Sequence, residues 1–282
     1  MVAYRFCRPD DIPLLVDAVN RCYGVHFPAA APFTVEDFRR EMKEVQLWPS
    51  NSMIASAGDE PVAVLLGTKR PREVLVRRIG VAPGHQRNGY GAHLLGSLSQ
   101  KLAVLGPPHL AAEVPADLPA ARAFFAGAGW SEEATLCDYE RPANGHAPLP
   151  AGAFAAVGLG ELEAAGVLGV SAAWERQPEA LRSCDELRGI ALCGAERLEA
   201  WALYRDRGEA QPGADVLALG YADPHHAGAT VAMLCAKLEE VAPGALRLRW
   251  VAPGEHPEAL LARLGFRPQR KTLRFVAEAA AA

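Results

Sequence analysis

The sequence predicts a mixed α/β (α+β) fold, with two tandem domains that each build a central mixed sheet flanked by helices. Three observations predict it. At 282 residues the chain is about 1.9 times the usual ~150-residue domain. A proline- and glycine-rich stretch, RPANGHAPLPAG at 141–152, interrupts it near the middle. The order of strand-like and helix-like segments before that stretch returns after it. The two halves close on ARAFFAGAGW (121–130) and PEALLARLGF (257–266), and GVAP (80–83) is echoed by YADP (221–224). A period this long points to a duplicated domain rather than a solenoid. The domains are accordingly 1–142 and 150–282.

In the first half, Val2 to Cys7 is strand-like and runs into Arg8-Pro9-Asp10-Asp11, where either aspartate can cap a helix carrying Leu14, Leu15, Ala18, Val19 and Cys22 on one face. Thr34 with Asp37 three residues on is close to a capping box for a second helix. Ser52–Ser56 and Val62–Leu66 flank Gly58-Asp59 as a hairpin. Val74–Val81 is a strand, Leu94 to Leu105 keeps a helical period, and Leu110–Val114 is a strand. A short helix over Pro119–Ala128 and a strand at Thr135–Tyr139 end this half. The second half reads as a long helical region (Leu162–Leu187), a hairpin around Gly194, a strand at Asp215–Tyr221, a helix through Val231–Val241, a strand at Leu246–Val251 and a short helix at Glu258–Leu264.

Composition narrows the partners. Half the residues are hydrophobic and 22% are charged, a globular balance. Lys+Arg is 29 against Asp+Glu 33, a net charge of −4, so nothing favours nucleic acid. Charged residues at the amino end and prolines in the most apolar stretch (147–173) argue against a signal peptide or a membrane span. The six cysteines form no CxxC pair, which suggests free thiols in a cytoplasmic protein and no zinc site.

The chemistry lies in the turn after Val74–Val81. A glycine-rich turn between a strand and a helix presents backbone N–H groups and the positive end of the helix dipole to a phosphate. Gly89-x-Gly91 occupies that place, with neither the Lys-Ser/Thr of a Walker loop nor the third glycine of a dinucleotide fingerprint. In full context, Val81-Ala82-Pro83-Gly84-His85-Gln86-Arg87-Asn88-Gly89-Tyr90-Gly91-Ala92 resembles the acetyl-CoA loop of the GNAT N-acetyltransferase family, with Gln86, Gly89 and Gly91 filling its pattern. Arg8-Pro9-Asp10-Asp11 and Ala121–Trp130 are similar to two further family marks. The resemblance covers residues 2–142.

The resemblance implies two tandem GNAT-like domains and acetyl-CoA as acyl donor, without a metal. Main-chain groups at Ile79, Gly80 and Val81 would meet pantetheine. The amides of Gln86, Arg87, Asn88, Gly89, Tyr90, Gly91 and Ala92 would hold the pyrophosphate, and Phe124 would flank the acyl end. It also exposes departures, because the family's strand-four glutamate falls at Leu75, its strand-five asparagine at Leu118 and its acid tyrosine at Phe125. Two carboxylates remain as candidate bases. Glu113 matches the base of the ribosomal-protein-acetylating branch, and Glu73 lies two residues before Leu75 on the same strand. Tyr23 and His26 lie in the region that lines acceptor sites.

The second copy, PHHAGATVAML, keeps only Gly228 of the cradle and reads as degenerate. The implied activity is acetyl transfer to a primary amine on a small molecule or peptide, by direct attack in a ternary complex. The alternatives are an acetyl-CoA-binding sensor or scaffold, and a tandem enzyme with a thiol-linked or aminoacyl substrate. A monomer with an internal pseudo-dimer is the expected assembly.

Overall fold

A computed structural model describes residues 2–143, 154–169, 171–195, 197–209 and 211–280. Most of the 141–152 stretch therefore lies outside the described residues. The chain packs as two compact units. The first comprises Met1–Val114, Leu118–Glu133 and Leu273–Ala282, the second Pro115–Asp117 and Ala134–Thr272.

The first unit contains β1 (Val2–Phe6), α1 (Ile12–Cys22), α2 (Val35–Glu44), β2 (Met53–Ala57), β3 (Glu60–Gly67), β4 (Glu73–Val81), α3 (Tyr90–Leu105), β5 (His109–Pro115) and α4 (Pro119–Gly127). Its strands are ordered β1-β2-β3-β4-β5, with the Leu273–Glu278 part of β12 (Arg267–Glu278) beyond β5. The first four strands pair antiparallel, and β4 and β5 pair parallel. Helix α2 has the expected capping box: Thr34 Oγ1 accepts from Asp37 N at 3.1 Å, and Asp37 accepts from Thr34 N at 2.9 Å. At α1 the aspartate acts differently, since Asp11 accepts from Arg8 N and pairs with Arg5. The unit's core runs from Leu15 and Val19 of α1 through Val64 and Leu65 of β3 to Leu94 and Leu98 of α3, all buried.

The second unit holds the remainder of β6 (Ser131–Arg141), then β7 (Phe154–Ala156), α5 (Leu159–Ala164), α6 (Pro178–Ser183), β8 (Arg188–Cys193), β9 (Leu198–Asp206), β10 (Gly213–Tyr221), α7 (Ala227–Val241), β11 (Ala245–Val251) and α8 (Glu258–Arg263). Its strand order is β6-β11-β10-β9-β8-β7. Among the described residues β10 and β11 pair parallel, and β11–β6, β10–β9, β9–β8 and β8–β7 pair antiparallel. Val231, Leu234 and Leu238 of α7 and Leu260 and Leu261 of α8 bury their faces with β9–β11. The long helix expected over 162–187 is instead two short ones. α5 ends before Gly166, and Pro178 opens α6. Strand β12 has no counterpart among the strands expected from the sequence and is the longest among the described residues.

Among the described residues, no helix is long and apolar enough to cross a membrane. No group of three or more His, Cys, Asp or Glu is placed to hold a metal ion among them.

Candidate functional site

The site is built where β4 and β5 part. Their parallel ladder runs from Glu73↔His109 to Val76↔Ala112 and stops, while β4 continues to Val81 paired with β3. A bulge at Arg77, skipped between Leu66↔Arg78 and Gly67↔Val76, coincides with the parting. Beyond that point the β5-facing main chain of β4, including Ile79, Gly80 and Val81, leaves the ladder. At the far end Gln86 Nε2 donates to the Val81 carbonyl at 3.4 Å, and His26 Nε2 lies 3.3 Å from the same oxygen.

The glycine turn follows at once. Arg87 and Gly89 adopt left-handed φ of 65° and 79°, and Gly89 is the N-cap of α3. A side chain at Gly89 would be strained by that φ. Asn88 Nδ2 donates to the carbonyls of His85 and Gln86, both at 3.2 Å, which fixes the turn from within. The first turn of α3 carries no acidic residue, so its positive potential is not offset locally. Gln86, Arg87, Asn88, Gly89 and Ala92 are exposed, and Tyr90 is half-buried. A β-carbon at buried Gly91 would lie 3.2 Å from the Phe124 ring and 3.7 Å from Val81. Strand end, turn, helix start and α4 thus meet at one place.

Two charged groups lie on β4, β5 and their neighbours. Arg78 makes a two-pronged bond to Glu41 of α2 at 2.6 and 2.8 Å, with its guanidinium 4.4 Å from the Phe33 ring centre. Burial pushes the Glu41 carboxyl up, but the bonds from Arg78 and the charge of Arg77 outweigh it and leave it below its ordinary value.

The second group was invisible in the sequence. Arg274 of β12, 4% exposed, gathers three glutamates. Its Nη2 pairs with Glu73, its Nε donates to Glu133 at 2.6 Å, and its Nη1 stands 3.8 Å from Glu113. Both candidate bases therefore face one guanidinium. They differ in depth: Glu113 is one residue past the last β4–β5 pair, whereas Glu73 is three rungs before it, about 10 Å along the strand. Burial holds the Glu73 carboxyl above its ordinary value despite Arg274. Phe275, next to Arg274, stacks on Phe125 of α4 at 5.8 Å, so the glutamate cluster faces away from α4. Leu75 and Phe125 are buried core, and Leu118 is the N-cap residue of α4.

The second unit repeats the parting and closes it. The β10–β11 ladder stops at Val216↔Leu248, and a bulge at Leu217 coincides with it. Counting from the two bulges, Gly220 matches Gly80 and Ala218 matches Arg78. The GVAP/YADP alignment is thus shifted by one residue, because Pro83 lies three residues past Gly80 whereas Pro224 lies four past Gly220. Arg176 spans the parted strands, donating to Leu217 O at 2.7 Å and Trp250 O at 3.3 Å while Glu255 holds its other edge. At the start of α7, Asp223 accepts from His225 N and lies 2.8 Å from His226 Nδ1.

Residues 13–130 match the family model described as Acetyltransferase (GNAT) family. Solved structures share the fold over nearly the whole chain. A tandem GNAT protein from the clavulanic acid biosynthesis pathway is 18% identical with a TM-score of 0.65, covering 100% of both chains. A GCN5-related N-acetyltransferase from Sphaerobacter thermophilus is 14% identical with a TM-score of 0.66, covering 98% of this chain and 95% of its own. Another from Anabaena variabilis is 14% identical with a TM-score of 0.65, covering 99% of this chain and 73% of its own. No curated protein matches the sequence significantly. Residues 13–130 thus match the GNAT acetyltransferase family model, and over its whole length the chain shares the fold of a tandem GNAT protein.

Proposed function

We propose that the first unit transfers an acetyl group from acetyl-CoA to a primary amine by direct attack in a ternary complex. The observation that carries this reading is a coincidence at one end of β4. The strand leaves its β5 ladder at Val76, ends five residues later at Val81, and leads through Pro83–Gln86 into a left-handed glycine turn at a helix N-terminus without local acid. Main-chain groups at Ile79, Gly80 and Val81 would pair with pantetheine, and the amides from Gln86 to Ala92 would receive the pyrophosphate. Phe124 would flank the acyl end.

Glu113 is the general base in this reading, since it stands closest to the parting. It takes the proton that a primary amine carries at neutral pH, and β4 amides polarise the thioester carbonyl. Glu73 is the second candidate, acting through water. Three glutamates around one guanidinium leave an excess of negative charge on this face, which suits an ammonium acceptor. Arg274 is a positioning residue. The segments 1–142 and 150–282 are read as the two duplicated copies.

A second reading has its own observation: Phe125, where the resemblance places an acid tyrosine, is locked in the core. The unit would then bind acetyl-CoA without turning it over. Measuring CoA release against small amines, peptides and aminoglycosides separates the two. Release with one amine class supports transfer, whereas tight acetyl-CoA binding with no release from any class supports the sensor.

A further inference from the structure

We infer that the two copies address their last strands by charge, so that β12 enters the first unit and β6 the second. The inference rests on reading 1–142 and 150–282 as two copies and is independent of acetyl transfer.

Strands β6 and β12 hold the same place in the two copies. Each follows a short helix, α4 or α8, and a closing aromatic, Trp130 or Phe266. Asp138 and Arg274 each lie eight residues past that ring, and Tyr139 and Phe275 follow them. Each strand ends in the unit built mainly from the other copy. Residues from Ala134 belong to the second unit, and residues from Leu273 to the first. The aromatic neighbours agree. Phe275 stacks on Phe125 of α4 at 5.8 Å, while Tyr139 is buried in one cluster with Leu260 and Leu261 of α8. Strands kept by their own copies would exchange these two rings.

The walls that receive the strands are matched by their ladders. One residue past the last parallel pair stands Glu113 on β5 and Arg249 on β11. Strand and wall are therefore both reversed in sign between the units. In the first, Arg274 pairs with Glu73, donates to Glu133 at 2.6 Å and stands 3.8 Å from Glu113. In the second, Asp138 stands 3.9 Å from Arg249, and Glu140 accepts from its register partner Arg247 at 2.6 Å.

Backbone alone does not choose between the strands. Both ladders run for four pairs, and both strands offer an aromatic at the matching position. Charge does choose. An unexchanged β6 would bring Asp138 to Glu73, Glu113 and Glu133, and an unexchanged β12 would bring Arg274 to Arg249. Each wall thus attracts one strand and repels the other, which is how a difference in affinity becomes selection. Buried ion pairs add little net stability over apolar replacements, and their best-attested use is the choice of register or partner. Arg274, 4% exposed, makes the first wall the stricter of the two.

The test keeps the ion pairs and removes the distinction. In the full chain, Asp138→Arg with Arg249→Glu makes both strand positions cationic and both wall positions acidic. After refolding from denaturant, a nuclear Overhauser contact between the Phe125 and Phe275 rings counts the exchanged arrangement. A contact between the Phe125 and Tyr139 rings counts the unexchanged one. The parent should show the first contact only, and the double variant both, with the second in on the order of a tenth of the chains or more. Transposing the charges, with Asp138→Arg and Arg274→Asp, should make the second contact the major one. Reversing the exposed Glu163–Arg182 pair should leave the parent pattern unchanged. Asp138 also accepts from Trp250 N at 2.8 Å, so Asp138→Asn with Arg249→Gln, which keeps that bond, replaces the first variant if it does not refold. That variant should show the same change to a lesser degree. A refolded variant with the Phe125–Phe275 contact alone, or a parent showing both contacts, would overturn the proposal. So would failure of both variants to refold, since charge would then serve stability and not choice.

Discussion

The two partings of parallel strands, β4 from β5 and β10 from β11, share geometry and differ in what meets them. Each follows a ladder of four pairs, and each coincides with a bulge on the longer strand. In the first unit the residue at the bulge is Arg77, whose guanidinium turns toward Glu41 at 3.7 Å. In the second it is Leu217, and Arg176 arrives from elsewhere in the chain to bond its carbonyl. The turns that follow diverge in the same sense. Gly89 caps α3 with bare amides, whereas Asp223 brings its own carboxylate to the start of α7. The second unit thus keeps the backbone device and meets it with its own side chains, Arg176 and Asp223.

The largest effect should come from Gly89→Glu. It forces a side chain into a left-handed position and places a negative charge where the pyrophosphate is proposed to sit, so calorimetry should detect no acetyl-CoA binding. The unmodified chain should show one site; two equivalent sites would erase the contrast between the units. Next is Glu113→Gln, which should lower turnover roughly 10²–10⁴-fold with little change in acetyl-CoA affinity. Should Glu73→Gln produce that loss instead, the base lies at the start of the ladder.

Arg176→Met sharpens the comparison from the other side. It strands Glu255 and two main-chain carbonyls, for a cost of about 3 kcal/mol in denaturant unfolding. Asp223 remains, so calorimetry should still count one acetyl-CoA site; a second site would mean that Arg176 alone closed the parting. The last effect is a pH dependence. His256 titrates near 4 when folded against 6.5 when free, so the unfolded chain takes up its proton first as pH falls. Its contribution is complete above about 6.5 and is lost progressively toward 4. The stability difference between the parent and His256→Leu should change across that window, and a constant difference would contradict the assignment.

What the sequence made legible was local. The Gly89 turn, the Thr34–Asp37 box and the hairpins depend on residues a few positions apart, and they appear in the structure as spelled. Arg274 was not legible, because its meaning depends on Glu73, Glu113 and Glu133, some 140 to 200 positions away. The available signal was the pairing of buried Leu273 and Phe275 around it, a strand alternation interrupted by a buried cation. Arg176 and His256 failed for the same reason: each is defined by what the second unit folds around it. The helix expected over 162–187 is broken because left-handed Gly166 and helix-opening Pro178 interrupt its apolar period.

Strand β12 has a consequence for the order of events during synthesis. Leu273–Glu278 belongs to the first unit, beside β5, and carries the only described cation on Glu73 that comes from so late in the chain. A ribosome delivers residues from the amino end, so domains usually fold in that order. Here the amino-terminal unit has Glu73, Glu113 and Glu133 in hand long before Arg274 emerges. Until then it lacks a sheet strand and holds three carboxylates without their shared partner. The unit that begins first is therefore bound to finish last, and a chain released before residue 278 would leave its sheet edge exposed to foreign strands.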